Sequence, residues 1–373
     1  MKTHTTATSL KTIVSALILM ISGPILAAPT PMEAEHWALS ETGATLTTYL
    51  GVPALQLRNG GASMKDVTFR NGTIEFDVAM PDARGFTGVL FRNREGGMAE
   101  NFYLRSHLSE APDANQYQPI WNGNSAWQLY HGARYSTPTR YDFGGWNHVK
   151  LVVKGSKMDV YVNSEEPVLH VDNLFHGDTE GGVRFTGALV DFFYANVEVT
   201  PDDTVTLKGE PAPLPDMAEG LITSFNVGAT PVANAAVNGK ANLDRSLFEG
   251  QRWTVLAVSE AGMANLGRLA PRARGTSTLL ARMTITADEA KTVKLTYGFS
   301  DQLTLFLNGR ALVHEDDTYI TRDYRYLGTM GLFDSAFLAL DAGDNELVFA
   351  VTEGFGGWGL MAAIEDQTGL TIK

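Results

Sequence analysis

Past residue 37 the apolar side chains recur at alternate positions in short runs, and helical periodicity is weak throughout. Thr73-Ile74-Glu75-Phe76-Asp77-Val78 alternates apolar with polar residues, and Val89-Leu90-Phe91-Arg92 follows a glycine-rich turn. Trp146-Asn147-His148-Val149-Lys150-Leu151-Val152-Val153 keeps most of its apolar side chains in the same register, and Gly155-Ser156-Lys157 turns it into residues 158–162. Residues 168–171 return after a turn at 163–167, and 192–199 close the unit. A period of two buries one face of each run and leaves the other outside. Turn residues about every eight to twelve positions make such runs an antiparallel sandwich.

The idiom resumes after a break. Pro201-Asp202-Asp203 and Glu210-Pro211-Ala212-Pro213-Leu214-Pro215 form a stiff, polar connector. Beyond it, 281–285, 293–299, 303–307 and 347–352 read as strands. Asn308-Gly309, between 303–307 and 311–313, is the strongest hairpin signal in the chain, because both residues accept the positive φ of a type I′ turn. Asp341-Ala342-Gly343-Asp344-Asn345 is another turn, and 288–291 a loop or single turn. The expected fold class is all-β: two tandem antiparallel β-sandwiches of jelly-roll type, over 29–200 and 220–373, joined by a proline-rich linker at 201–219. Trp146, Trp253 and Trp358 lie in strand-like runs and are expected in the cores.

Residues 1–28 stand apart as a secretory signal peptide. Lys2 and Lys11 form a basic start, residues 12–21 are almost wholly apolar, and Gly23-Pro24 breaks the run before Ala27-Ala28. The apolar run is too short to span a bilayer and no second long one follows, so no integral membrane segment is expected after cleavage. A secreted or periplasmic location follows. The segment carries two lysines and no acid, so its removal takes the formal charge from −13 to −15. That balance disfavours nucleic acid and anionic membrane as main partners, since both select cationic surfaces. Cysteine is absent, which excludes disulfides, thiolate catalysis and a cysteine-linked lipid anchor.

Residues 100–141 concentrate aromatic, amide and guanidinium groups as few segments of an acidic protein do. Sugar sites need both kinds: flat rings cover the C–H side of a pyranose, while amides and arginines bond hydroxyls and carboxylates. Tyr103, Arg105 and His107 are two apart, so a strand points all three to one face, with Phe102, Leu104 and Ser106 on the other. These three are the candidate catalytic residues. Gln116, Gln118, Trp121, Trp127, Tyr130, His131 and Arg134 are the candidate substrate contacts. Glu95, Glu100, Glu110 and Asp113 are the acids expected near the cleft. No cofactor or metal site is assigned. Asp113-Ala114-Asn115-Gln116 and Asp172-Asn173 with Asp178 offer oxygen ligands suited to Ca²⁺, but Asp and Asn are also ordinary turn residues. Gly354-Phe355-Gly356-Gly357 opens no helix of the kind a phosphate-binding loop needs.

Residues 71–199 resemble the concanavalin A-like lectin and glucanase superfamily, and within it the 3-keto-disaccharide hydrolase-like and laminin-G-like jelly rolls. The carriers are Asn71-Gly72-Thr73-Ile74-Glu75-Phe76, then Gly88-Val89-Leu90-Phe91-Arg92, then Gly145-Trp146-Asn147 with its strand, Tyr161-Val162-Asn163, and Gly181-Gly182-Val183-Arg184-Phe185. Residues 220–373 resemble galactose-binding-like jelly rolls through Phe306-Leu307-Asn308-Gly309 and Phe355-Gly356-Gly357-Trp358-Gly359-Leu360. The resemblance implies a concave outer sheet face able to hold a glycan, with an accessory second sandwich. It does not extend to the glucanase acids: in Glu-x-Asp-x-x-Glu, Glu75 and Asp77 match but Met80 stands at the third acid. Where 3-keto-disaccharide hydrolases tend to carry Glu-Val-Gln, this chain has Asn101-Phe102-Tyr103-Leu104-Arg105. The expected function is an exported protein that binds a polysaccharide or oligosaccharide, with processing left open. The alternatives are a non-catalytic adhesion or matrix-assembly module, a hydrolase of 3-keto sugars, and a polysaccharide lyase using an arginine with a Tyr or His proton carrier.

Overall fold

The computed structural model describes residues 1–2, 28–318, 325–326 and 328–373. The expected signal peptide lies almost wholly outside the described residues. Among the described residues all the regular structure is strand and short 3-10 turn, and no helix is long and apolar enough to cross a membrane.

Two seven-stranded antiparallel sheets build the first sandwich. One runs in the order Trp37–Leu39, Gly60–Met64, Gly182–Ala188, Phe86–Arg94, Met98–Arg105, Asn115–Ile120 and Ser136–Thr137. The other runs Leu169–Val171, Lys157–Val162, Asn147–Lys154, Gly72–Ala79, Phe192–Pro201, Val52–Leu57 and Ala44–Tyr49. Alternation works as the sequence requires. Ile74, Phe76 and Val78 point into the core with Phe102, Leu104 and Phe185, all fully buried. Sandwich order places strands far apart in sequence side by side, so Gly182–Ala188 pairs with both Gly60–Met64 and Phe86–Arg94.

Arg92, which closes the Gly-Val-Leu-Phe-Arg run, has a structural role. It sits at a bulge with φ +50° and its guanidinium is wholly buried. Its Nη2 donates to the carbonyls of Arg70 and Gly155, each at 2.7 Å, and its Nη1 donates to that of Gly177. One side chain thus ties three connections that would otherwise leave buried carbonyls unpaired.

The second sandwich sets Trp253–Ala257, Ser224–Val232, Thr278–Ala287, Gly343–Thr352, Gln302–Leu307 and Arg310–Asp316 against Ala264–Asn265, Gly359–Ala363, Lys291–Ser300 and Asp334–Leu340. Phe225, Leu295, Tyr297, Phe349 and Trp358 fill it. The Asn308-Gly309 hairpin forms with φ of +49° and +78°. Of the three tryptophans expected in cores, Trp358 is fully buried, its indole donating to the Val351 carbonyl at 3.0 Å, and Trp253 packs partly buried against a smaller core cluster with Leu280, Phe306 and Val348. Trp146 precedes its strand and meets Tyr49 edge-on, half-buried. Trp253 lies on the outer face beneath the Arg282 guanidinium at 3.8 Å, an arrangement that suits a ring with one wet side.

The two sandwiches pack directly on each other through residues 121–135 of the first. Asn124 Nδ2 donates to the Ala270 carbonyl at 2.9 Å, the Gln128 backbone N–H to that of Gly356 at 3.1 Å, and Tyr135 Oη to Glu260 Oε1 at 2.6 Å. Met263, Met330 and Met361 of the second half join the core cluster of the first.

Candidate functional site

The outer face of the Phe86–Arg94, Met98–Arg105 sheet is laid out in cross-strand rows. Ala188, Phe86 and Arg105 make one row, Thr186, Gly88, Tyr103 and Gln116 the next, and Arg184, Leu90, Asn101 and Gln118 the third. Residues opposite each other on neighbouring strands share a face, so these rows gather side chains from four strands. Over them lies a cavity of about 660 Å³, lined by Phe86, Asn101, Tyr103, Arg105, Gln118 and Trp127 among others. Gly88 lets the neighbouring strand lie close: a Cβ there would fall 2.6 Å from both Cα and Cβ of Tyr103.

Tyr103 and Arg105 sit at the centre of one network. Tyr103 Oη donates to Gln116 Oε1 at 2.7 Å and accepts from Arg105 Nη2 at 2.6 Å. Arg105 Nη1 donates to the Asp113 carbonyl at 2.6 Å and faces the Asp113 carboxylate at 3.5 Å. Arg105 is 2% exposed, yet its Nε has no hydrogen-bond partner among the described residues; the same holds for Asn101 Oδ1. Burial pushes the Tyr103 phenol well up, so it stays protonated at neutral pH.

Gln116 lies beneath this pair. Its Nε2 donates to the carbonyls of Trp127 (2.8 Å) and Tyr130, fastening the following loop to the sheet. Gln118 reaches the cavity while its Oε1 accepts from Ser125 Oγ at 2.9 Å and the Ala126 N–H at 2.6 Å. Trp127 is brought over the rows as a wall of the cavity.

His107 departs from the expected alternation. The strand ends at Arg105, and His107 lies in a 3-10 turn, Ser106–Leu108. Its ring meets the edge of Phe86 at 5.4 Å, placing it beside the lining rather than in row with Tyr103. Burial, helped by the charges of Arg84 and Arg105, holds its pKa below the ordinary value and the ring neutral at pH 7.

Four of the expected sugar contacts are elsewhere. The Trp121 ring is held between His176, 4.0 Å away, and the Arg268 guanidinium. Tyr130 is buried, its hydroxyl accepting from Asn265 Nδ2 at 3.2 Å. His131 Nε2 is 3.1 Å from the Met330 carbonyl, and Arg134 pairs with Glu260 at 3.0 Å. All four meet the second sandwich, because residues 121–135 turn off the sheet and run between the two halves. The polar and aromatic composition that suggests sugar binding serves here as a domain contact.

The acids divide likewise. Glu100, expected near the cleft, faces the core between Asn101 and Ala99, with no exposure. Its carboxylate accepts from Tyr117 Oη at 2.6 Å and the His176 N–H at 2.9 Å, and burial raises its pKa to about 7. No carboxylate lines the cavity among the described residues. The oxygen groups suited to Ca²⁺ are engaged by cations: Asp113 by Arg105, Asp172 by Lys157 at 2.6 Å, and Asp178 by Arg70. Glu33, Glu35 and His36 bring ligand atoms within 4.8 Å of one another, on the surface and away from the cavity.

Comparison with known families matches residues 37–200 to the 3-keto-alpha-glucoside-1,2-lyase-like domain. Among solved structures, the chain is similar to the carbohydrate-binding module CBM66 from Bacillus subtilis, at 15% identity over 43% of this chain and 93% of that one, with a TM-score of 0.33. It is similar to a Bacillus subtilis protein with a galectin-like fold, at 12% identity, 46% and 91% coverage, and a TM-score of 0.34. A third, SCLam, a non-specific endo-beta-1,3(4)-glucanase of family GH16, aligns at 8% identity over 46% of this chain and 86% of that one, with a TM-score of 0.30. No curated protein sequence matches the chain. The first sandwich is therefore the part of the chain that is similar to the 3-keto-alpha-glucoside-1,2-lyase-like domain.

Proposed function

We propose that this protein is exported and binds a glycan on the outer face of its first sandwich. The observation that carries the reading is the cavity over the Tyr103–Arg105–Gln116 network, which Asn101, Arg105, Gln118 and Trp127 line together. A saccharide matches both parts of such a lining: hydroxyls for its amide and guanidinium groups, and C–H faces for its aromatic wall. Tyr103 and Arg105 act as binding groups held in place by Gln116. Binding without glycoside hydrolysis is favoured, because hydrolysis needs two carboxylates flanking the scissile bond and the described lining has none.

One observation favours a second reading, elimination next to a carbonyl or carboxylate. His107 is held neutral beside Phe86 of the lining, close to the charges of Arg84 and Arg105, which brings a proton-carrying residue type next to guanidinium groups that could neutralise a carboxylate. The deciding experiment uses the mature protein on an array of neutral and uronate-containing oligosaccharides, with reducing ends and the absorbance of unsaturated products followed in parallel. Retention without turnover is the expected result. Unsaturated product lost in His107→Ala would establish the second reading, and no retention on any glycan would sink the first.

A further inference from the structure

The sandwich that looks accessory reaches into the cavity. Phe355, about 150 residues beyond the first domain in sequence, lines it together with Trp127, although neither sheet of the first sandwich carries that residue. Its ring stands 6.0 Å from that of Trp127 at 63°, so the two make an angled corner rather than a parallel stack. Phe355 is 46% exposed, and Leu189, also on the lining, is 47% exposed. Large apolar side chains with about half their surface exposed on the lining of a cavity are what a ligand with C–H faces would cover.

The loop that carries Phe355 is built to hold it there. The N–H groups of Gly354 and Phe355 both donate to Asp301 Oδ2, at 2.7 and 2.6 Å, and Asp301 is itself buried. The Gly356 carbonyl accepts from the Gln128 N–H, and Gln128 Oε1 accepts from Ser300 Oγ at 3.0 Å. Gly356 has φ +106°, and a Cβ there would lie 2.8 Å from Cζ2 of Trp127. Only glycine lets this loop lie flat against the tryptophan. The glycine-rich run that suits no phosphate therefore has another use.

We infer that the glycan site is composite: Phe355 of the second sandwich forms the second aromatic wall, and a saccharide ring is seated in the corner it makes with Trp127. This rests on the glycan-binding reading above and adds that the second domain contributes directly to affinity. The test titrates the full mature chain by calorimetry with the hexasaccharide it retains best from a panel of neutral and uronate-containing hexasaccharides. Phe355→Ala is expected to weaken binding roughly tenfold with an unchanged melting temperature, and Phe355→Trp to stay within about threefold of wild type. Arg105→Met in the same series reports on the floor alone. If Phe355→Ala binds within about twofold of wild type while Arg105→Met loses binding, the composite site is wrong and the glycan-binding reading stands. If the wild-type chain binds no member of the panel, both fall together.

Discussion

Residues 99–118 and 121–135 are neighbours in the chain and alike in composition, yet they meet different surroundings. The first stays in the sheet, so its alternate side chains stand in rows under the cavity: Asn101, Tyr103 and Arg105 with Gln116 and Gln118 across from them. The second leaves the sheet, and its ring and charge bearers are taken up by the second sandwich at Asn265, Met330 and Glu260, with Trp127 set between the cavity and Phe355. A polar, aromatic stretch fits a sugar or another domain equally well, since both are met by stacked rings and satisfied hydrogen bonds. What separates the two segments is whether the backbone stays in a ladder whose outer face remains open.

The largest expected effect lies on the hidden side of the first segment. Glu100 titrates near 7 in the folded chain against an ordinary value of 4.5, so the folded state keeps a proton that the unfolded state releases. The contribution of Glu100 to stability should therefore fall as pH rises from about 4.5 to 7 and level off above, a loss of roughly 3 kcal/mol. Denaturant titrations of Glu100→Gln across this range should lack that fall; a slope equal to wild type would place the titration elsewhere. On the open side, Arg105→Met should weaken glycan affinity roughly thirtyfold, about 2 kcal/mol, by removing a charged donor from the floor. An effect under threefold would erase the distinction between the segments.

In the second segment the pattern reverses. Arg134→Ala breaks a partly buried ion pair and should lower stability by about 1 kcal/mol in thermal unfolding while leaving affinity untouched. His131→Ala should be the mildest change, with affinity within about twofold of wild type and a small drop in melting temperature from the lost contact with the Met330 carbonyl. A loss of binding in either variant would mean that this loop, and not the sheet, carries the ligand.

Much of the fold was legible from residue order. The alternation in 73–78 and 146–153 became the strands Gly72–Ala79 and Asn147–Lys154, and Asn308-Gly309 became the turn its chemistry demands. The same alternation put Tyr103 and Arg105 on one face and Phe102 and Leu104 on the other. It failed one step later, at His107, where the strand had already given way to a 3-10 turn. Nothing local marks Arg92 as the tie of three connections, or Glu100 as a core acid, because their partners arrive from residues 70, 155 and 177 and from Tyr117 and His176.

Strand periodicity, turn chemistry and the sidedness of a strand follow from neighbours along the chain, and so belong to this sequence whatever it packs against. Which open face keeps a cavity, which loop is pressed between domains, and how Phe355 comes to stand beside Trp127 depend on contacts between residues far apart in the chain. Those were decided only when two separately patterned sandwiches closed on each other, because burial and hydrogen-bond satisfaction are properties of the assembled surface rather than of any segment.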